Sequence, residues 1–209
     1  PEVLGHDPRA PRLPRIGAAR SLSTNHFCGH GWWCWVIPLP GVPGHTSIGI
    51  VHDKRLFDLP GEGKLRERYE RFVRTQPGLR DLVKDAVMDA DDFIAYKDLP
   101  YRSRQYAGRG WALVGDAAGF MDPFYSPGLD HMSFSTYATA RIIEDDLSGR
   151  LCDTSLDASL AEHNGEFARS YDRWLESLYI DKYEIFGDAE LVSASYFIDI
   201  GMYYLGVLL

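Results

Sequence analysis

Cysteine and positive charge are both scarce in this sequence. The chain of 209 residues has three cysteines, Cys28, Cys34 and Cys152, and no Cys-x-x-Cys pair. This excludes a disulfide framework and is typical of a reducing cytoplasm, where we expect the protein to reside. Asp and Glu number 30 against 22 Lys and Arg, so the formal net charge is −8. Such an acidic surface argues against nucleic acid or an anionic membrane as the main partner.

The sequence also lacks a recognisable metal-site spacing and an unbroken apolar run at its end. Four potential metal ligands near the N-terminal side have spacings that match no common zinc site, so we predict no metal. They are His26, Cys28, His30 and Cys34. The tail from 191 to 209 is just long enough to span a bilayer, but Asp199 would be costly there. We therefore expect a buried or partner-covered helix, and no membrane span.

The order of apolar patterns predicts an α/β fold with α+β character. Hydrophobic residues make up 45% of the chain, which is enough for a sizeable buried core. Aromatic and β-branched runs predict strands at 31–39, 46–51, 92–96 and 111–114, the last of them fully buried. Apolar spacing predicts helices at 62–74, at 78–86, from Ser126-Pro127 to about Leu147 with Gly149 as the stop, and over most of 157–209.

The segment GDAAGFMDPFYSPGLD, residues 115–130, is the part of the chain that indicates chemistry. A tight turn at Gly115 would let a ligand approach the backbone, and the Asp116 carboxylate can accept hydrogen bonds from sugar-like hydroxyls. The helix that opens at Ser126-Pro127-Gly128 presents N–H groups and a dipole that favour negative charge. The alternative is an ordinary strand-to-helix turn in which Asp116 is only a cap.

This segment resembles the second flavin-binding motif of FAD-dependent oxidoreductases of the p-hydroxybenzoate hydroxylase type, and among them most resembles the flavin-dependent halogenases. A second motif supports the resemblance: Trp33-Cys34-Trp35-Val36-Ile37-Pro38 fits the halogenase signature WxWxIP and lies upstream, in the family's order. The resemblance covers roughly residues 20–150. It implies part of a p-hydroxybenzoate hydroxylase-like FAD-binding fold, with a β-sheet substrate region and a helical C-terminal section.

The resemblance also implies roles for individual residues. Asp116 would hydrogen-bond the ribityl chain of FAD, and the turn before the helix would pass along the isoalloxazine edge. The implied cofactor-binding residues are Gly115, Asp116, Ala117, Pro123, Ser126, Pro127, Gly128 and Leu129. Trp33 and Trp35 are the active-site candidates, placed by the resemblance between flavin and substrate. The alternative for these tryptophans is simple core packing in a strand.

Three departures from the family pattern shape what we expect of the chain. The GxGxxG fingerprint is absent, no lysine precedes Lys54, and Pro127 has no N–H to give at the implied halide position. The chain therefore resembles the C-terminal part of a longer enzyme, whose N-terminal portion would complete the site. The expected regions are an irregular lead-in at 1–20, a substrate-side β-sheet region with helices at 21–110, the second FAD-binding segment at 111–150 and a helical C-terminal region at 151–209.

The sequence thus predicts an FAD-dependent oxidoreductase, halogenase-like or monooxygenase-like, that acts on a small aromatic or carrier-bound substrate. A flavin reductase is an expected partner. Two alternatives remain open: an FAD-dependent reductase related to the geranylgeranyl reductases, and a catalytically inactive fragment that acts as a binding module. His131 could titrate near the flavin, although a partly exposed or hydrogen-bonded helical histidine is the simpler expectation.

Overall fold

A computed structural model describes residues 23–39, 41, 44–89 and 91–206 of the chain. The predicted lead-in at 1–20 lies outside these residues. The described residues form two compact units: one combines the chain up to Ile94 with the chain from Asp181 onward, and the other comprises Ala95–Ile180. Helices dominate and the sheets are small, which confirms the predicted α/β class with α+β character.

The elements follow one another in a simple order along the chain. The strands are β1 (Asn25–Gly29), β2 (Trp32–Pro38), β3 (Thr46–His52), β4 (Tyr101–Arg102), β5 (Ala107–Gly108), β6 (Trp111–Ala112) and β7 (Gly119–Phe120). The helices are α1 (Leu65–Thr75), α2 (Pro77–Val83), α3 (Gly128–Leu147), α4 (Asp153–Trp174), α5 (Lys182–Ile185) and α6 (Ala189–Gly206). The first two predicted strands and the α1 and α2 helices are confirmed to within a few residues.

The first unit is built on an antiparallel sheet with the order β1-β2-β3. Because side chains alternate along a strand, Trp32, Cys34 and Val36 share one face of β2. That face forms the core with apolar residues of α1 and α2, and the Trp32 and Phe72 rings meet edge to face at 4.9 Å. The edge-to-face geometry is the one that aromatic quadrupoles favour.

Helix α6 of the same unit contains the aspartate that the sequence marked as costly. The Asp199 carboxylate accepts a hydrogen bond from the Lys182 ammonium, and these two side chains are 11% and 7% exposed. The Ser195 hydroxyl joins them, 2.5 Å from Lys182 Nζ and 3.2 Å from Asp199 Oδ2. The apolar tail is thus a helix with a paired internal charge. Over the described part of the chain, no helix is long and apolar enough to cross a membrane.

The second unit contains two-stranded ribbons, β4 with β7 and β5 with β6; α4 packs against β5, and α3 packs against α4 and the turn at Gly115–Ala117. Its core contains Tyr106, Ala118 and Phe167. Asn164 of α4 fixes the β5 ribbon: its Oδ1 accepts the N–H groups of Tyr106 and Ala107, and its Nδ2 donates to the Ala107 carbonyl at 2.9 Å. A single amide side chain therefore supplies backbone hydrogen bonds that this two-residue strand does not obtain from its partner strand.

Two predicted strands are wrong. Residues 92–96 form no strand; Phe93 instead anchors an irregular segment by packing on Tyr69, with ring centroids 5.6 Å apart. Of 111–114, only Trp111 and Ala112 pair, across a tight hairpin with β5, and Trp111 is 46% exposed rather than buried. A short apolar run needs neighbouring strands on both sides to be buried, and this one has a single partner.

Candidate functional site

The Gly115 turn has the geometry that the sequence predicted. Residues Gly115–Ala117 form a single 3₁₀ turn, in which Gly115 is buried and has φ of +56°. This left-handed conformation favours glycine. A Cβ at this position would lie 3.2 Å from Cγ of Met132, so the turn also packs closely on α3. A side chain here would be both strained and crowded.

The turn brings Asp116 to the start of α3. A Cβ built on Gly128 would lie 3.9 Å from Asp116 Oδ1, and both residues are exposed. The first intrahelical hydrogen bond runs from the His131 N–H to the Pro127 carbonyl at 3.0 Å. The N–H groups of the preceding helical residues therefore have no acceptor within the helix. The structure thus places an exposed carboxylate near backbone N–H groups, which can donate hydrogen bonds to an anion or to the polar edge of a ligand.

The loop before α3 differs from the prediction at one position. Ser126 is not the cap of α3: it has φ of +55° and ends a 3₁₀ turn at Pro123–Tyr125, while the helix begins at Gly128 after Pro127. The cap in this loop is Asp122, whose Oδ1 accepts the Phe124 N–H at 2.9 Å. Proline fits the position after such a cap because it has no N–H to leave unsatisfied.

The predicted cofactor-binding residues differ in their exposure. Gly115 and Pro127 are buried and shape the backbone, while Pro123 is half-buried. The remaining ones are exposed and available to a ligand: Asp116, Ala117, Ser126, Gly128 and Leu129. The carboxylate of Asp130, in the first turn of α3, is half-buried and adds a negative charge to this end of the helix.

The candidate tryptophans lie in the other unit and differ from each other. Trp33 and Trp35 share a face of β2, with ring centroids 5.6 Å apart. Trp33 is buried, and its Nε1 donates to the Tyr183 hydroxyl at 3.0 Å. Trp35 is half-buried: its ring covers Gly49 on β3, and its Nε1 donates to Ser47 Oγ at 3.1 Å. Trp33 is therefore held as core, and Trp35 is the more accessible of the two.

The two cysteines near the N-terminal strands are poorly suited to bind a metal, because burial favours the protonated thiol. Burial raises the pKa of Cys28 to about 11, and burial together with the charge of Cys28 raises the pKa of Cys34 to about 12. Burial lowers the pKa of His26. These groups are neutral at physiological pH. Within the ranges that the structure describes, no three His, Cys, Asp or Glu side chains are grouped to hold a metal ion.

His131 is more enclosed than expected. It is buried between Tyr106 and Phe167, with ring centroids 6.4 and 5.6 Å from its own, and its Nε2 has no hydrogen-bond partner among the described residues. Burial lowers its pKa, and the negative charge of Asp116 opposes this shift. The expectation of a partly exposed or hydrogen-bonded histidine is therefore wrong, because aromatic rings enclose the His131 side chain.

Comparisons with known proteins identify the relatives of this chain, although no protein-family model matches it. It is 30% identical over 147 residues to the sulochrin halogenase gedL of Aspergillus terreus, covering 68% of this chain and 26% of that protein. It is 32% identical over 111 residues to the flavin-dependent halogenase chlA of Dictyostelium discoideum, covering 52% and 18%. The crystal structure of halogenase PltM with phloroglucinol and FAD matches with a TM-score of 0.69 and 26% identity, covering 88% of this chain and 36% of PltM.

The chain is a relative of the flavin-dependent halogenases. This confirms the resemblance that the two motifs indicated. This chain spans about a quarter of the length of the curated halogenases gedL and PrnC that it matches.

Three residues near the Gly115 turn were not predicted from the sequence: Asp122, Tyr101 and Ser135. The dipeptide Asp122-Pro123 is a recognisable capping signal and could have been found. Tyr101 and Ser135 bond the backbone of the Gly115 turn from 14 or more positions away in the sequence. No local pattern marks such partners.

Proposed function

We propose that this chain provides the isoalloxazine and ribityl side of the flavin site in an FAD-dependent oxidoreductase of the halogenase group. The observation that carries the proposal is the exposed Asp116 carboxylate close to the N-terminus of α3. A carboxylate suits the hydroxyls of a ribityl chain, and a helix N-terminus suits the electron-rich edge of a flavin ring. Halogenase PltM, which matches this fold, is a protein whose crystal structure contains FAD.

The residues present fit an extended, flat ligand. Gly128 leaves the backbone exposed beside Asp116, and the exposed Ala117 is small. Asp116 would bind ribityl hydroxyls, and the turn from Pro123 to Leu129 would follow the ring edge. When bound, the flavin supplies the redox chemistry, while the protein orients it and excludes water. We infer that the substrate is a small aromatic or carrier-bound molecule and that a flavin reductase in the cytoplasm supplies the electrons.

The outer face of α3 supports the proposal that further polypeptide completes the site. This helix buries polar side chains, His131, Ser135 and Thr139, and exposes apolar ones. The exposed apolar residues are Leu129, Met132, Phe134, Tyr137, Ile143 and Leu147. An exposed patch of this kind marks an interaction surface. We propose that it is covered by the nucleotide-binding N-terminal portion of the same enzyme, since the halogenases that match are about four times as long as the matched region.

We propose that the β2 sheet forms the substrate side, with Trp35 as its accessible aromatic residue and Trp33 as its support. Trp35 is half-buried and fixed through Ser47, so its ring has a set orientation and a free edge. Trp33 is held by Tyr183 and cannot turn without breaking that hydrogen bond.

The visible absorption spectrum of the purified protein tests the flavin proposal. We expect a protein-bound flavin spectrum when the chain is produced with a nucleotide-binding portion, and little retained flavin on the 209-residue chain alone, which carries part of the site. Gel filtration before the measurement removes free FAD. The absence of bound flavin from both preparations after incubation with FAD would contradict the proposal.

We further predict that the enzyme forms no halogenated product. Pro127 is the residue before the first helical position of α3 and has no backbone N–H with which to bind a halide. Reactions with phenols, including phloroglucinol, in chloride or bromide should show no halide-dependent mass shift by mass spectrometry. Pro127→Ala restores the N–H and is the matched variant for halide binding. A clear halide-dependent product from the unmodified enzyme would refute the prediction.

A further inference from the structure

Ser135 makes a buried hydrogen bond to the backbone of the Gly115 turn. Its side chain is 0% exposed, and its Oγ accepts the Gly115 N–H at 3.0 Å. The same hydroxyl donates its own hydrogen to the Met132 carbonyl at 3.1 Å. Because donor and acceptor are both used, the hydroxyl has one orientation. This hydrogen bond attaches helix α3 to the turn at a buried point.

Tyr101 holds a second peptide group of the same turn. Its hydroxyl donates to the carbonyl oxygen of Asp116, and its ring stacks on Phe120 with the planes 16° apart. Within the turn, the Ala118 N–H donates to the Gly115 carbonyl at 2.9 Å. The backbone of Gly115 and Asp116 is therefore held from α3 and from β4, while the Asp116 carboxylate remains exposed.

A comparison with Thr139 shows that the Ser135 hydroxyl is not simply a tolerated polar group. Both residues lie on the buried face of α3, about one and two turns after His131. Thr139 Oγ1 has no hydrogen-bond partner among the described residues, whereas Ser135 Oγ has two. Removing the Ser135 hydroxyl would leave the buried Gly115 N–H without an acceptor, which is unfavourable in a protein interior.

We propose that Ser135 and Tyr101 are positioning residues that act through Asp116: they fix its backbone so that its carboxylate stays beside the N-terminus of α3. The proposal rests on the flavin site proposed above, because the reason to fix Asp116 is to present its carboxylate to the ribityl chain.

Hydrogen exchange of the Gly115 amide, followed by NMR, tests the anchor without any cofactor. Ser135→Ala should accelerate exchange of this amide by at least about 10-fold, because the hydrogen bond that protects it is lost. Thr139→Val removes a buried hydroxyl from the same helix face and Ser133→Ala an exposed one. Both controls should leave the exchange of Gly115 unchanged. An equally protected amide in Ser135→Ala would overturn the proposed anchor.

A double-mutant cycle on FAD affinity tests the action through Asp116. Ser135→Ala and Tyr101→Phe should each weaken FAD binding by about 5- to 10-fold. Combined with Asp116→Ala, neither should add a further loss, because the carboxylate that they position is gone. The Tyr101 side chain is half exposed, so Tyr101→Phe should fold and provides the test if Ser135→Ala does not fold. Additive losses would overturn the positioning role. If the unmodified protein binds no FAD even when a nucleotide-binding portion completes it, the flavin proposal fails, while the exchange experiment still decides whether Ser135 anchors the turn.

Discussion

Replacing Lys182 by methionine is expected to destabilise the unit that contains α6 by about 3–5 kcal/mol, because it leaves a buried carboxylate without its counter-ion. Asp199 is 11% exposed and would keep only the Ser195 hydroxyl of the two partners described above. Methionine preserves most of the volume of the lysine stem, so the loss reports on charge rather than on a cavity. Urea unfolding, followed by tryptophan fluorescence and circular dichroism, measures the change.

Two further variants separate the buried charge from its surroundings. The double variant Lys182→Met with Asp199→Leu should recover much of the lost stability, since a buried ion pair can be replaced by apolar residues at little cost. Lys84→Met removes one partner of an exposed pair, 4.0 Å from Asp85, and should change stability little. A Lys182→Met variant as stable as the unmodified chain would show that Asp199 is solvated in solution.

Features that depend on neighbouring residues in the sequence were predicted correctly. The alternation of apolar residues in Trp32–Pro38 identified β2 and its two faces, because strand geometry alone decides which side chains share a face. Gly149 was predicted to stop α3, and it adopts φ of +71° just beyond the helix. A left-handed residue after a helix is a local event, so a local signal suffices.

Features that depend on distant partners were missed. The run 111–114 resembles a buried strand, but its burial depends on how many strands flank it, and only β5 does. Asp199 was recognised as costly in an apolar helix, yet its partner Lys182 is 17 positions away on another helix. Such pairings are set by how elements pack, and a single sequence carries no record of packing.

The same division applies to the candidate site. The resemblance assigned Asp116 and Gly128 to one cofactor site, and in the structure a Cβ built on Gly128 would lie 3.9 Å from Asp116 Oδ1. Ser135 was not predicted, because its contact with Gly115 depends on the rotation of α3 about its axis. A polar buried face on α3 also contradicts the usual apolar-inside pattern from which helix rotation is inferred.

Asp116→Ala is expected to weaken FAD binding by about 10- to 100-fold, because hydrogen bonds to a charged group each contribute about 1.5–3 kcal/mol. The side chain is exposed and lies beside the start of α3, so its removal opens no cavity and should leave the fold intact. Equilibrium dialysis of FAD against the protein, with the site completed by a nucleotide-binding portion, measures the dissociation constant.

Two matched variants assign the loss to the Asp116 carboxylate and its position. Asp146→Ala removes an exposed carboxylate from the last turn of α3, far from the Asp116 end of that helix, and should leave FAD affinity unchanged. Asp116→Asn keeps one carbonyl acceptor for the ribityl hydroxyls and removes the charge, so its affinity should lie between those of the unmodified protein and Asp116→Ala. Full flavin occupancy in Asp116→Ala would remove this residue from the site and leave the N-terminus of α3 as the main contact.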